Sequence, residues 1–80
     1  PAIEVPEGTD LIEAPFGGSV WKLMVAEGDE VKAGDVIAVI EAMKMESPLE
    51  SPDNGTIAAL YIRERQSLEP GAPMLALRRH

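Results

Sequence analysis

The chain has 80 residues, no cysteine and a formal net charge of −7 from seven Lys and Arg against fourteen Asp and Glu. That length holds one small domain and no second, and the lack of thiols excludes disulfide frameworks, thiolate metal sites, CxxC redox motifs and cysteine nucleophiles. A surface of this sign repels phosphate backbones and anionic lipid, and one Phe, one Trp and one Tyr leave little for base stacking, so neither nucleic acid nor a membrane is expected as a partner.

Hydrophobic residues make up 45% of the chain, yet no apolar run approaches the roughly 18 residues of a membrane helix, and the reading is of a soluble protein. Residues 1–10 hold two prolines and three acids without sustained alternation, and read as a linker or boundary segment of a longer native chain. Seven Gly and seven Pro then punctuate the sequence at short intervals, which argues for short strands and turns. Ser19 to Val25 alternates so as to place Trp21, Leu23 and Val25 on one face of a strand, with Lys22 outward and Trp21 in or near the core. Turns follow at Glu27 to Glu30 and at Lys32 to Asp35, with Val31 as an apolar contact between them. Val36 to Ile40 reads VIAVI, a β-branched run too short for a helix and consistent with a strand buried on both faces.

The fold is most legible in an internal repeat. Residues Glu13 to Glu41 align without a gap on Glu50 to Arg78, at an offset of 37. Glu13 falls on Glu50, Pro15 on Pro52, Gly18 on Gly55, Leu23 on Leu60, Glu27 on Glu64 and Gly34 on Gly71. Similar residues pair elsewhere: Val20 with Ile57, Val31 with Leu68, Ile40 with Leu77. Two copies of a four-strand pattern, each too small to bury its own apolar face, are expected to interlock about an approximate two-fold axis. The predicted fold is all-β, a flattened eight-stranded barrel-sandwich hybrid. The predicted folded unit is 11–78, with 79–80 a terminal tail.

The joining segment, Ala42 to Leu49, has no counterpart in the repeat and is expected to be a free turn carrying Glu41-Ala42-Met43-Lys44-Met45-Glu46. Hairpin tips favour Asn-Gly, Asp-Gly or Gly-Gly, and none is present, so something other than turn chemistry selects these residues. Two methionines offer soft, adaptable apolar surface on either side of an amine, as suits a tip gripped by several partners in turn. An exposed amine has no desolvating pocket to activate it, so an outside enzyme must do so. On the hexapeptide alone, core methionines and an ordinary solvated lysine remain the blander account; its place at the tip that breaks the symmetry favours the functional one.

The EAMKME run after an apolar strand, with Pro15, Gly18 and Val20 before it and Pro52, Gly55 and Ile57 echoing them after it, resembles the biotinyl domains of biotin-dependent carboxylases over roughly Leu11 to Leu77. AMKM centred on Lys44 is the specific hallmark; the related lipoyl domains typically carry Asp-Lys-Ala. The resemblance implies biotin joined covalently to Lys44 by a biotin protein ligase. Ala42, Met43 and Met45 would be recognised by that ligase and by later partners. It further implies a carrier without catalysis of its own, shuttling carboxybiotin between biotin carboxylase and carboxyltransferase sites. The organic chemistry would be the cofactor's. A monomeric domain in the cytoplasm is expected, or in mitochondria for a eukaryotic parent.

Only Ala26 to Glu30 separate Val25 from Val31, so the chain lacks the protruding thumb of many bacterial carrier proteins and is similar to the carrier domain of a multidomain carboxylase. Gly18 to Lys22 is similar to urea carboxylases and urea amidolyases. Pyruvate, propionyl-CoA and methylcrotonyl-CoA carboxylases and oxaloacetate-type decarboxylases stay open as parents. Two alternatives remain: a lipoyl carrier of a 2-oxo-acid dehydrogenase-type system, and an unmodified barrel-sandwich interaction module.

Several features have plainer readings. Lys22 and Lys32 are surface lysines, and Glu41 and Glu46 are charges guarding a hairpin. Ser47-Pro48 marks an edge strand. Arg65, which falls on Gly28 in the repeat, is expected to sit in a different turn, because positive φ costs a non-glycine residue about 1 kcal/mol. Asn54-Gly55 is a candidate tight turn. Arg78 and Arg79 read as solvated, and His80 as a disordered terminal residue.

Overall fold

The computed structural model describes residues 4–80; residues 1–3 of the expected linker lie outside them. Eight strands follow in order: β1 (Asp10–Glu13), β2 (Gly18–Leu23), β3 (Glu30–Val31), β4 (Val36–Ala42), β5 (Met45–Glu50), β6 (Gly55–Leu60), β7 (Ser67–Leu68) and β8 (Pro73–Arg79). They form two four-stranded antiparallel sheets, ordered β1-β8-β6-β3 and β5-β4-β2-β7. No helix of the described residues is long and apolar enough to cross a membrane. The body measures 35 × 30 × 17 Å, flattened as the repeat predicts.

An offset of 37 carries β2, β3 and β4 onto β6, β7 and β8 end for end, and carries β1 onto the last four residues of β5. Register follows. Val20 faces Ile40 and Leu23 faces Ala38, as Ile57 faces Leu77 and Leu60 faces Leu75. Both ladders slip at the same place, between Val20 and Lys22 and between Ile57 and Ala59. Each repeat contributes two strands to each sheet, so the apolar face of either repeat is completed by strands of the other. The core lies between the sheets in two pseudo-equivalent clusters, one with Val20, Ala38, Ile40, Leu68 and Met74, the other with Ile57, Leu75, Leu77, Val31 and Ile37.

Gly18 and Gly55 show why the repeat keeps glycine there. A Cβ on Gly18 would stand 2.5 Å from the Glu41 carbonyl oxygen and 2.9 Å from Ile40 Cγ2, and one on Gly55 would collide with the Arg78 carbonyl oxygen.

The structure revises several expectations. The slip in β2 puts Trp21 in a β-bulge, where it is 48% exposed, while its neighbour Val20 is fully buried. Strict alternation therefore fails at Trp21, and the inward residues on that strand are Val20 and Leu23. β4 is not enclosed at every position: Ile37, Ala38 and Ile40 are buried, whereas Val36 is exposed and Val39 half-buried. Ala42 to Leu49 is not a free turn, since Met45 onward is edge strand β5, paired along its length with β4; Pro48 takes the edge position expected of it.

Arg65 does not leave the turn made by Gly28; it adopts the same geometry. Its φ is 71° against 92° for Gly28, and its N–H donates to the Val20 carbonyl as that of Gly28 does to Ile57. The ladder contacts that close both turns outweigh the cost of positive φ at one residue. Asn54-Gly55 is not a left-handed tight turn: residues 52–54 bend, Gly55 opens β6, and the Asn54 side chain accepts from the Ala33 N–H. At the termini, Asp10 and Arg79 belong to strands and form an ion pair at 2.5 Å, Arg78 donates to the Glu7 carbonyl, and His80 Nε2 lies 2.7 Å from Thr56 Oγ1.

Gly18→Ala and Gly55→Ala are each expected to cost about 1–3 kcal/mol of folding stability, because backbone lies where the methyl must go. Chemical denaturation should show a smaller loss for Gly17→Ala, whose Cβ would come no nearer than 3.3 Å to its nearest neighbour; equal losses in all three would discount the close crossing.

Candidate functional site

β4 and β5 form the one hairpin whose turn the repeat does not duplicate. Ala42 pairs with Met45, so the loop is two residues, Met43 and Lys44. Of the two-residue loops that match strand twist, type I′ needs positive φ at both positions. Met43 stands at 51° and Lys44 at 67°, each paying roughly 1–2 kcal/mol that glycine would avoid. Gly18 lets β2 pass close beneath the hairpin base, against Glu41 and with the space of a Cβ only 3.2 Å from the Ala42 methyl. The apex therefore stands on a packed support.

Met43 is 95% exposed and Met45 68%, Lys44 is exposed, and Ala42 is half-buried at the base. These methionines are not core residues. Lys44 takes part in no salt bridge and no side-chain hydrogen bond among the described residues, where Arg79 makes the ion pairs, with Asp10 and Asp53. Glu41 and Glu46 face each other across the ladder beneath the apex. Two like charges in register oppose pairing, so the ends of this hairpin carry both backbone strain and charge repulsion. An exposed primary amine on a supported but strained apex is accessible to an acyl donor held in another protein's active site.

Exposure alone does not single out Lys44, since Lys22 on β2 and Lys32 in the turn after β3 are exposed too. Neither stands in the left-handed region. Two further residues, unmarked by the motif, break the repeat in the same sheet: exposed Trp21, whose counterpart is Ala58, and Arg65, whose counterpart is Gly28. With Ser19, Val20 and Glu41 they line a surface depression of about 260 Å³. Subtracting one repeat from the other reveals both; hydrophobic periodicity does not.

The family profile described as "Biotin-requiring enzyme" matches residues 1–77. The chain is 37% identical over 67 residues to the biotin carboxyl carrier protein of acetyl-CoA carboxylase from Solanum lycopersicum, covering 84% of this chain and 96% of that one. Among solved structures, a single-chain, multi-domain long-chain acyl-CoA carboxylase superposes with a TM-score of 0.93 at 31% identity, over all of this chain and 8% of that one. The urea carboxylase of Kluyveromyces lactis superposes with a TM-score of 0.84 at 28% identity, over 96% of this chain and 7% of that one. The chain thus spans nearly all of the carrier protein but under a tenth of either carboxylase.

Replacing Met43-Lys44 by Asn-Gly should raise folding stability by about 1–2 kcal/mol, since the turn would then hold residues that favour positive φ. A denaturant midpoint unchanged or lowered in that variant would show that the apex is unstrained.

Proposed function

The chain belongs to the biotin-requiring enzyme family, and from that premise we propose that it is a biotin carboxyl carrier unit with Lys44 as the attachment residue. The observation that carries this reading is the apex itself: an unpaired, solvent-projected amine in the left-handed turn of EAMKME, on the hairpin the repeat leaves single.

The residues present fit the group. Attachment needs a nucleophilic nitrogen with room around it. Once the Lys44 ammonium has given up a proton, its Nζ lone pair attacks the acyl carbon of biotinyl adenylate, AMP departs with the bonding pair, the nitrogen loses a second proton, and a neutral amide stands where the ammonium was. The adenylate comes from a biotin protein ligase, whose grip would close on Met43, Met45 and Ala42, flexible apolar surface on either side of the amine. Bound biotin supplies a ureido nitrogen that takes up and gives back a carboxyl group. The domain's part is presentation: β4 and β5 hold the arm clear of the body, and a tether raises its effective concentration at a biotin carboxylase and at a carboxyltransferase in turn.

No catalytic step is assigned to the domain's own side chains. A multidomain parent in the cytoplasm or mitochondria is the setting proposed, by analogy with the carboxylases it resembles. The lipoyl reading is not favoured, because AMKM stands at the apex and the relatives named are biotin proteins.

Incubation with biotin protein ligase, ATP and biotin should add a single biotin, mapped to Lys44 by peptide mass spectrometry and absent from Lys44→Arg. An adduct on Lys22 or Lys32 instead, or no adduct on the unaltered chain, would remove this reading; preferential modification by a lipoyl ligase would favour the alternative.

A further inference from the structure

The fold explains neither of the residues by which the second repeat departs from the first beside β2. Arg65 occupies a left-handed position that Gly28 fills without strain in the other repeat, and nothing lies within 4 Å of where a Cβ on Gly28 would be. Trp21, the single tryptophan, occupies a bulge where the other repeat has Ala58, and it is left 48% exposed. Arg65 is exposed and joins no salt bridge among the described residues. An apolar ring face and an available guanidinium thus line one depression of about 260 Å³, together with Ser19 and the Glu41 carboxylate.

Resting on the carrier reading, we propose that this depression is a resting site for the fused ring of biotin carried on Lys44. The ring offers an apolar sulfur-containing half and a ureido edge with one carbonyl acceptor and two N–H donors. The depression offers the complement of each: the indole face for the apolar half, Arg65 as donor to the carbonyl, and Glu41 as acceptor from an N–H, with the Ser19 hydroxyl able to serve as either.

Reach is adequate. Register sets Glu41 opposite Ser19, and Lys44 lies three residues further on through the turn, no more than about 11 Å from Glu41 along the chain. The lysine side chain and the acyl chain of biotin interpose about ten single bonds of about 1.5 Å each, so the arm spans that distance even when bent. A site too weak to hold free biotin can still be filled by a tethered ring, whose effective concentration is on the order of millimolar. Docked, the ring would be withheld from bulk water between visits to the partner sites.

Trp21 is its own reporter, since no other tryptophan emits. The full chain is compared with and without biotin, the adduct being located on Lys44 by mass spectrometry. A ring docked about half the time should blue-shift Trp21 emission and lower its quenching by acrylamide up to about twofold, with nuclear Overhauser contacts between indole and ring protons. In biotinylated Arg65→Gly, which installs the residue of the other repeat and relieves the positive φ, both changes should disappear. Equal quenching with and without biotin and no indole-to-ring contact would overturn the resting site while leaving the carrier role intact. Persistence of the change in Arg65→Gly would overturn the recognition chemistry. No adduct at Lys44 would overturn the carrier reading and this inference with it.

Discussion

Neither repeat can cover its own apolar face, and the structure follows from how each borrows cover from the other. Val20 and Ile40 belong to the first repeat, yet their cluster is completed by Leu68 and Met74 of the second; Ile57, Leu75 and Leu77 are completed in turn by Val31 and Ile37. Full burial of side chains this size contributes roughly 1.5–3 kcal/mol each, so interlocking is the main driving force available to an 80-residue chain without disulfides. The exchange also consumes nearly every strand end. β3 and β7 are two residues long and close the sheets opposite β1 and β5. What remains unconstrained by burial is the apex that joins the repeats.

Backbone strain is distributed accordingly. Three non-glycine residues among those described have positive φ, namely Met43, Lys44 and Arg65, and all three border the β5-β4-β2-β7 sheet. The other left-handed positions are filled by Gly8, Gly28, Gly34 and Gly71, and at the last three a side chain would find open space. Steric room therefore does not decide where glycine is dispensed with. The residues that replace it are one long apolar side chain and two long cations at exposed positions, at a cost on the order of 1–2 kcal/mol each.

Most of this architecture is legible in the sequence because the repeat is a statement about tertiary structure. An offset of 37 places Gly18 over Gly55 and Val20 over Ile57, and those pairs are the close crossing and the core. The place of Lys44 at an exposed apex was legible for the complementary reason, that it has no counterpart. Local patterning failed where tertiary contacts override it. Trp21 follows the alternation of its strand until a bulge shifts the phase, and the signal for that bulge is the register of a strand far away in sequence. Arg65 looked incompatible with the turn of Gly28, but the bond from its N–H to the Val20 carbonyl and the Glu64 carboxylate accepting from the Leu23 N–H hold that turn shut. Ala42 to Leu49 read as a turn because Pro48 and the charged residues mask a strand whose only partner is β4.

The two repeats serve as each other's control. Positions that agree, such as Glu27 and Glu64, each accepting from a backbone N–H of the opposite repeat, are accounted for by the fold. Positions that differ need another account, and some have a local one: Ser51 replaces the buried Ala14 of the first repeat, and its hydroxyl donates to the Asp53 carbonyl inside its own bend. Difference alone is therefore weak evidence of function. It gains force when the departing residue is exposed, strained or unpartnered, as Lys44, Trp21 and Arg65 are, because no contact within the domain then offsets what the residue costs. Lys44 stands at the apex of the β4–β5 hairpin, Trp21 on the strand beside it and Arg65 in the turn before β7, so the residues that the fold leaves unaccounted for gather on one sheet and its apex.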